Sequence, residues 1–227
     1  MIKLHIDIET YSPVSIKDCG VYKYAEHPDF LILLVAYFFE GFNSSTRIVD
    51  LASGEPLPYE VLSALNDPAI TKVAHNATFE RVCFSNYLRS LGKLEWNEWL
   101  DPMQWRCTMV QAMRCGLPAS LEEAGAALGL DKQKMKEGKD LIKLFCTPHK
   151  AVAGVFGETD GRVRPEDRPD EWETFKSYCI RDVDVEKQID EATAWYPVSD
   201  FEQRLYALDQ TINDRGVAVD LQLVNNA

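Results

Sequence analysis

The sequence lacks the features of a membrane protein, a secreted disulfide scaffold or a zinc module. Its longest apolar run, residues 30–39, is about half of the ~20 residues that a membrane-spanning helix needs. Residues 1–7 do not have the apolar segment of a signal peptide. The six cysteines and four histidines show neither a C-x-x-C spacing nor another zinc pattern. We therefore expect a cytoplasmic chain without a membrane span, whose reduced thiols lie mostly in the core.

Positive charge is also scarce. The 227 residues include 24 basic and 36 acidic side chains, so the formal net charge is −12. A protein that binds nucleic acid usually carries a basic surface, because it has to neutralise phosphates. Two interpretations stay open: the partner is not nucleic acid, or bound metal ions supply the positive charge locally. With 46% hydrophobic residues, the chain has enough apolar material for a packed core.

Strand and helix patterns alternate along the chain, which is typical of an α/β domain. Strands are predicted over residues 1–9, 31–39, 47–51 and 71–75, and helices over residues 58–65, 77–91, 103–114, 120–129, 132–145 and 170–195. Residues 147–169 are predicted to form a long surface loop. A new helical pattern begins at Asp200, after the helix-breaking Pro197, and continues to the last residue.

The first predicted strand presents a pair of carboxylates. Asp7 and Glu9 are two residues apart, so both side chains leave the same face, about 6.6 Å apart along the strand. Carboxylate oxygens are the ligands that Mg²⁺ and Mn²⁺ prefer. A half-exposed strand with a polar outer face would show the same pattern, so this pair alone is a weak signal.

Two further segments place acidic residues on helices. Glu80 falls in the first turn of a helix that Asn76 is predicted to cap, where the helix dipole also favours a carboxylate. Tyr178 and Asp182, at i and i+4 of the last long helix, share one face, so the phenol can orient a water beside the carboxylate. Asp170 is the predicted N-cap of that helix. Helix capping and a solvated acidic face explain these residues equally well when each segment is taken singly.

In this order, the three segments resemble the motifs of DEDD-type 3′-5′ exonucleases of the tyrosine subclass. The segments are D-x-E at residues 7–9, N-x-x-F-E at residues 76–80 and Y-x-x-x-D at residues 178–182. The second family motif usually ends in Asp, so Glu80 departs from it, in a variant that phage-type relatives share. Residues 105–109 and 208–220 add similarity to the proofreading region of phage-type family A DNA polymerases.

The resemblance implies a ribonuclease H-like mixed sheet flanked by helices and a reaction that uses two Mg²⁺ or Mn²⁺ ions. The implied ligands and catalytic groups are Asp7 bridging both ions, Glu9 and Asp182 completing one site, Glu80 holding the second ion, and Tyr178 positioning the attacking water. The implied substrate contacts are Thr10, Asn76 and Phe79. For Phe79, a place in the core is the slightly favoured explanation.

The implied activity is the release of nucleoside 5′-monophosphates from the 3′ ends of single-stranded DNA during proofreading. Residues 1–197 would form the exonuclease domain, and residues 198–227 a helical linker at the start of a truncated polymerase region. The polymerase domain would be a partner that this chain lacks. Because residues 208–220 resemble a polymerase segment, they favour DNA over RNA as the substrate.

Two other functions share these motifs. One is an RNA-trimming exonuclease of the ribonuclease D type, and the other is a non-catalytic scaffold with an exonuclease-like fold, in which Glu80 would mark decay of the site. A basic stripe on the helix predicted over residues 132–145 could guide a single strand, although a solvated helix face is the simpler explanation. The stripe consists of Lys132, Lys136, Lys139 and Lys143.

Overall fold

The computed structural model describes residues 2–130, 138–149 and 161–226. This part of the chain forms a five-stranded sheet in the order β3-β2-β1-β4-β5. The strands are β1 Ile2–Tyr11, β2 Leu31–Phe39, β3 Arg47–Asp50, β4 Ile70–Ala74 and β5 Trp105–Cys107. Strand β2 is antiparallel to both β1 and β3, whereas β4 is parallel to β1 and β5 is parallel to β4. This mixed topology is that of the ribonuclease H-like fold and confirms the predicted fold class.

Helices cover both faces of the sheet. They are α1 Ile16–Ala25, α2 Tyr59–Asn66, α3 Thr78–Ser90, α4 Thr108–Arg114, α5 Leu121–Ala127, α6 Gly138–Cys146, α7 Pro169–Thr193, α8 Asp200–Arg215 and α9 Leu221–Asn226. Short 3₁₀ turns lie at Leu51–Ser53, Pro102–Gln104 and Pro165–Asp167. Within the described ranges, none of the helices has both the length and the apolar character that crossing a bilayer requires.

Strand β1 divides the core into two layers. Its apolar residues Leu4, Ile6 and Ile8 are buried in one cluster, together with side chains of α2 and α3. Because successive side chains of a strand point to opposite faces, His5, Asp7 and Glu9 face the other layer. That layer is built by α6 and α7, with buried side chains that include Leu141, Phe145, Trp172, Phe175 and Val183. The polar face of β1 therefore lies against α7, with His5 and Glu9 buried and Asp7 partly exposed.

The helix predicted over residues 103–114 is wrong in its first half. Residues 105–107 form β5, which pairs with β4, and α4 begins only at Thr108. Trp105 is fully buried, and its carbonyl accepts a hydrogen bond from the Gln203 amide. A strand of three residues is too short to show an alternating pattern, so the following helical pattern concealed it. Helix α1 was not predicted because Gly20 interrupts it with a φ of 74°.

Two of the predicted helix caps are also wrong. Arg168 is the N-cap of α7, and Pro169 occupies its first position, where the fixed φ of proline suits the helix. Ala77 rather than Asn76 is the N-cap of α3. By contrast, the helix predicted to begin at residue 120 does begin there, because Ser120 is the N-cap of α5 and its hydroxyl accepts a 3.2 Å hydrogen bond from the Glu123 backbone N–H.

Part of the predicted basic stripe is visible on α6. Lys139 and Lys143 are exposed there, and Lys139 lies 3.8 Å from the Glu122 carboxylate. Lys132 and Lys136 lie outside the described residues, as do residues 150–160 of the predicted loop.

Candidate active site

Strand β1 and helix α7 meet in a regular register. Two residues of a strand span about 6.6 Å and four residues of a helix about 6 Å, so every second strand residue can face every fourth helix residue. The facing pairs are Lys3 with Asp190, His5 with Glu186 and Asp7 with Asp182. Because these two distances match, one continuous row of facing polar side chains runs between the central strand and the longest helix.

At one end of this row, acids are paired with cations. The Lys3 ammonium contacts Asp190 and lies 3.7 Å from Glu40. Both ring nitrogens of the buried His5 meet carboxylates, Nδ1 at 2.7 Å from Glu186 and Nε2 at 3.0 Å from Glu40. Burial alone would lower the pKa of His5, but the hydrogen bond and charge of Glu186 outweigh it and raise this pKa. We call these residues the paired end; the set is Lys3, His5, Glu40, Glu186 and Asp190.

At the other end, acids face acids. Burial raises the pKa of Asp7, and the charge of Asp182 raises it further. The pKa of Glu9 is raised by burial and then by Asp7 and Asp182. Burial raises the pKa of Asp182 to about 7, although a hydrogen bond from Tyr178 opposes this shift. Since the charge of Asp182 acts on both Asp7 and Glu9, the three carboxylates lie near one another.

Glu80 joins this pocket from the first turn of α3. It is 3% exposed, and burial followed by the charge of Asp7 raises its pKa. Its Oε2 atom is buried without a hydrogen-bond partner among the described residues. A buried carboxylate oxygen is costly unless a donor or a cation meets it. We call Asp7, Glu9, Glu80 and Asp182 the acidic pocket, and its oxygen-rich chemistry fits hard divalent cations such as Mg²⁺ or Mn²⁺.

Tyr178 is held at the acidic pocket as a hydrogen-bond donor. Its hydroxyl bonds to Asp182, and burial followed by that negative charge raises the pKa of the phenol, so it stays protonated. The ring stacks on Phe175, with centroids 6.3 Å apart and planes 11° from parallel. Gly138 of α6 covers the ring, and a Cβ at that position would collide with it. Gly138 therefore fixes the phenol, and no sequence pattern pointed to this role.

Two buried thiols also reach the acidic pocket. Cys179 Sγ lies 3.6 Å from Asp7 Oδ2, and Cys146 Sγ lies 3.7 Å from Glu9 Oε2. The sequence predicted thiols in the core, and both are indeed buried and free. Their contacts with the carboxylates were missed, because cysteine spacing was compared only with zinc and disulfide patterns.

The three predicted substrate contacts differ in their exposure, and two of them lie against Tyr24. Thr10 is buried, and its hydroxyl lies 2.9 Å from the hydroxyl of Tyr24. Phe79 packs at the edge of the core, with its ring centroid 6.2 Å from that of Tyr24. Asn76 is exposed and adopts a φ of 71°, a left-handed conformation that few non-glycine residues take. Of the three residues, Asn76 is thus the most exposed, Phe79 is partly exposed and Thr10 is buried.

Fold and pocket together define a ribonuclease H-like domain with an acidic pocket suited to divalent cations. Over its full length the chain is 45% identical to a DNA polymerase of Bacillus phage SP02, in an alignment of 229 residues. This confirms the predicted resemblance to a phage DNA polymerase. The chain spans about a third of that relative's length (33%). No family model matches the chain.

Solved structures give more distant likenesses. The RNase D of Escherichia coli, described as an exoribonuclease involved in structured RNA processing, is 20% identical with a TM-score of 0.43. The match covers 92% of this chain and 45% of that one. NrnC of Brucella melitensis is 13% identical with a TM-score of 0.43, and the match covers 94% of this chain and 82% of NrnC. Similarity at this level says nothing about activity.

Proposed function

We propose that this chain is a metal-dependent 3′-5′ exonuclease that releases nucleoside 5′-monophosphates from single-stranded DNA. The proposal rests on one observation, the convergence of four carboxylates from β1, α3 and α7 beside the Tyr178 hydroxyl. The similarity to a phage DNA polymerase supports DNA as the substrate and proofreading as the role. Domain boundaries at residues 1–197 and 198–227 are part of the proposal.

The acidic pocket would hold two Mg²⁺ or Mn²⁺ ions through Asp7, Glu9, Glu80 and Asp182. When bound, such ions supply an activated water and charge stabilisation for the leaving 3′ oxygen. Without cations, four acids in one pocket repel a phosphodiester, so the carboxylates alone oppose substrate binding. Burial, followed by the charges of the neighbouring acids, raises the pKa values of Asp7, Glu9 and Glu80, and bound cations would offset those charges.

The remaining residues position the reactants. Tyr178 stays protonated, so its hydroxyl can orient a water or a phosphate oxygen next to Asp182. Stacking on Phe175 and the cover provided by Gly138 keep the phenol in that place. Asn76 presents its amide to solvent just before the helix that carries Glu80, where it can contact the terminal nucleotide.

A gel assay tests the proposal. Single-stranded DNA labelled at its 5′ end is incubated with Mn²⁺ or Mg²⁺ and the wild type, Asp7→Asn or Asp190→Asn. Wild type and Asp190→Asn should give a ladder that shortens from the 3′ end, whereas Asp7→Asn and chelator should abolish it. Asp190→Asn is a matched control because it removes an acid of the paired end. An inactive wild type, or an active Asp7→Asn, contradicts the proposal.

The same assay with an RNA strand of matching sequence separates the DNA substrate from an RNA-trimming activity. Faster shortening of RNA than of DNA would contradict the DNA assignment while leaving the reaction class intact. Calorimetric titration with Mn²⁺ addresses the scaffold alternative, since a decayed pocket would bind no ions.

A further inference from the structure

The acidic pocket contains a sulfur atom among its oxygens. One ligand atom each from Asp7, Glu9 and Cys179 lies within 4.8 Å of the other two. Cys179 and Glu9 are both buried, so the sulfur is enclosed together with the carboxylates. Mg²⁺ and Mn²⁺ are hard ions that prefer oxygen ligands to sulfur, whereas thiolate binds Zn²⁺ and related ions strongly.

The observed distances fit a tetrahedral ion. In such a site, a Zn–S bond of ~2.3 Å and a Zn–O bond of ~2.0 Å place sulfur and oxygen about 3.5 Å apart. Cys179 Sγ and Asp7 Oδ2 are 3.6 Å apart, so this contact matches one edge of the tetrahedron without movement. Metal-free, the same contact is a hydrogen bond from the thiol to the carboxylate.

An independent observation also points to a cation. Glu80 is 3% exposed, and its Oε2 atom has no hydrogen-bond partner in the described part of the chain. It lies near the other acids, since its charge acts on Glu9 and the charge of Asp7 acts on it. A cation between these side chains would satisfy that oxygen. The other metal-like cluster of described residues, His5, Glu40 and Asp190, differs because the Lys3 ammonium already contacts both of its acids.

We propose that Cys179, Asp7 and Glu9 form a mixed sulfur–oxygen site that binds thiophilic divalent cations such as Zn²⁺ and Cd²⁺. On binding, the S–H bond of Cys179 breaks, its proton passes to solvent, and the sulfur bonds to the metal with no change of oxidation state. With Mg²⁺ or Mn²⁺, only oxygens coordinate and Cys179 remains a thiol. Zn²⁺ therefore displaces Mn²⁺ from the pocket.

This inference concerns the pocket in which the proposed exonuclease holds its ions, but it does not depend on DNA hydrolysis. Its readout is spectroscopic. A cadmium–thiolate bond gives a charge-transfer band in the ultraviolet, which a purely structural cysteine does not produce. Cys146→Ser is the matched control, since Cys146 is also buried and also contacts a pocket carboxylate, at 3.7 Å from Glu9.

The experiment titrates Cd²⁺ up to one equivalent into metal-free wild type, Cys179→Ser and Cys146→Ser. We expect the band in wild type and Cys146→Ser and its loss in Cys179→Ser, whose hydroxyl can still donate to Asp7. In parallel, the paramagnetic resonance signal of free Mn²⁺ reports displacement by Zn²⁺. Cys179→Ser should need at least ~10-fold more Zn²⁺, the smallest loss typical of groups that merely orient a metal ligand.

The outcomes distinguish the two proposals. A wild type that binds Mn²⁺ but shows no cadmium–thiolate band overturns the mixed site and leaves the exonuclease proposal intact. A band that survives in Cys179→Ser, or disappears in Cys146→Ser, overturns the assignment to Cys179. A wild type that binds neither ion overturns both proposals.

Discussion

The two ends of the contact between β1 and α7 are built alike and charged differently. Both place acids of one helix face opposite alternate residues of one strand. Both also bring three potential ligand atoms within 4.8 Å of one another. At the paired end, however, Lys3 and His5 neutralise the acids, whereas Asp7 meets Asp182 at the acidic pocket. Ligand geometry alone would therefore suggest two metal sites. Because the acids of the paired end are already neutralised, the acidic pocket is the better candidate.

Side-chain exposure also distinguishes the two ends. Within the paired end, side-chain exposure falls from 35% for Lys3 and 18% for Asp190 to 2% for His5 and 3% for Glu186. An ion pair contributes little in water, but a buried acid needs a partner. In the acidic pocket Glu9 and Glu80 are buried, whereas Asp7 and Asp182 are partly exposed. The protein neighbours of these acids are mostly other acids, so protons or external cations must balance the charge.

The largest expected effect is on activity, after Asp7→Asn. A divalent ion contributes several kcal/mol of charge stabilisation, so if Asp7 holds the ions as proposed, its loss should lower the rate by roughly 10³-fold or more. A single-turnover assay of DNA shortening measures this loss. His5→Asn, two residues away on the same face, serves as the comparison and should retain far more activity. Equal losses in both variants would erase the functional difference between the two ends.

The next effect is on stability and depends on both pH and metal. Asp182 has a pKa of about 7 in the folded chain, above its unfolded value. Its contribution to metal-free stability is therefore present below the unfolded pKa and lost as the pH rises through about 7. Mn²⁺ that binds only the folded chain raises the free energy of unfolding by ~2.7 kcal/mol at a concentration 100 times its Kd, and this gain offsets the loss.

Thermal unfolding at pH 5.5 and pH 8, with Mn²⁺ or chelator, measures this linkage. The gain in Tm from Mn²⁺ should be larger at pH 8 and should shrink in Asp182→Asn. His5 also has a raised pKa, so its contribution likewise fades as the pH rises. For that reason the metal-dependent difference is the diagnostic quantity. A gain in Tm that does not vary with pH would contradict the picture of uncompensated acids.

Local spacing predicted the two pairs of the acidic pocket, and the resemblance to DEDD-type exonucleases joined these pairs with Glu80. Two residues along a strand share a face, and four residues along a helix share a face. These rules placed Asp7 with Glu9, and Tyr178 with Asp182, and the order of the motifs linked them to Glu80. The strands of 31–39 and 71–75 were found by the same reasoning, within one residue of the structure.

The features that could not be predicted depend on contacts across the fold. No local rule states that Glu186 meets His5, 181 residues earlier, or that Cys146 reaches Glu9, 137 residues earlier. Gly138 carries no side chain, so its role appears only when the ring of Tyr178 is seen beside it. Sequence spacing identifies which residues share a face, whereas packing determines what that face meets.

A moderate effect is expected from Glu186→Gln, which weakens the inner pair. His5 would keep a hydrogen-bond acceptor but lose the buried charge beside Nδ1. Hydrogen bonds to charged groups contribute ~1.5–3 kcal/mol, so we expect a loss of about 2 kcal/mol in the free energy of unfolding. Urea unfolding at pH 6 measures it. Glu40→Gln, at the half-exposed partner of Nε2, should cost less. The reverse ranking would show that burial does not control the strength of these pairs.

The smallest effect is expected from Lys3→Met at the outermost pair. Both of its acidic partners are partly exposed, so water already screens the attraction and the loss should be under ~1 kcal/mol. High salt shortens the range of surface charges, so this loss should shrink further when urea unfolding is repeated at ~1 M salt. DNA shortening should stay within twofold of wild type, because Asp190 and Glu40 lie at the far end of the contact from the acidic pocket. A marked fall in activity would show that removing the cation from the paired end disturbs the pocket. The two ends would then act as one electrostatic unit, and the division between structural and catalytic acids would fail.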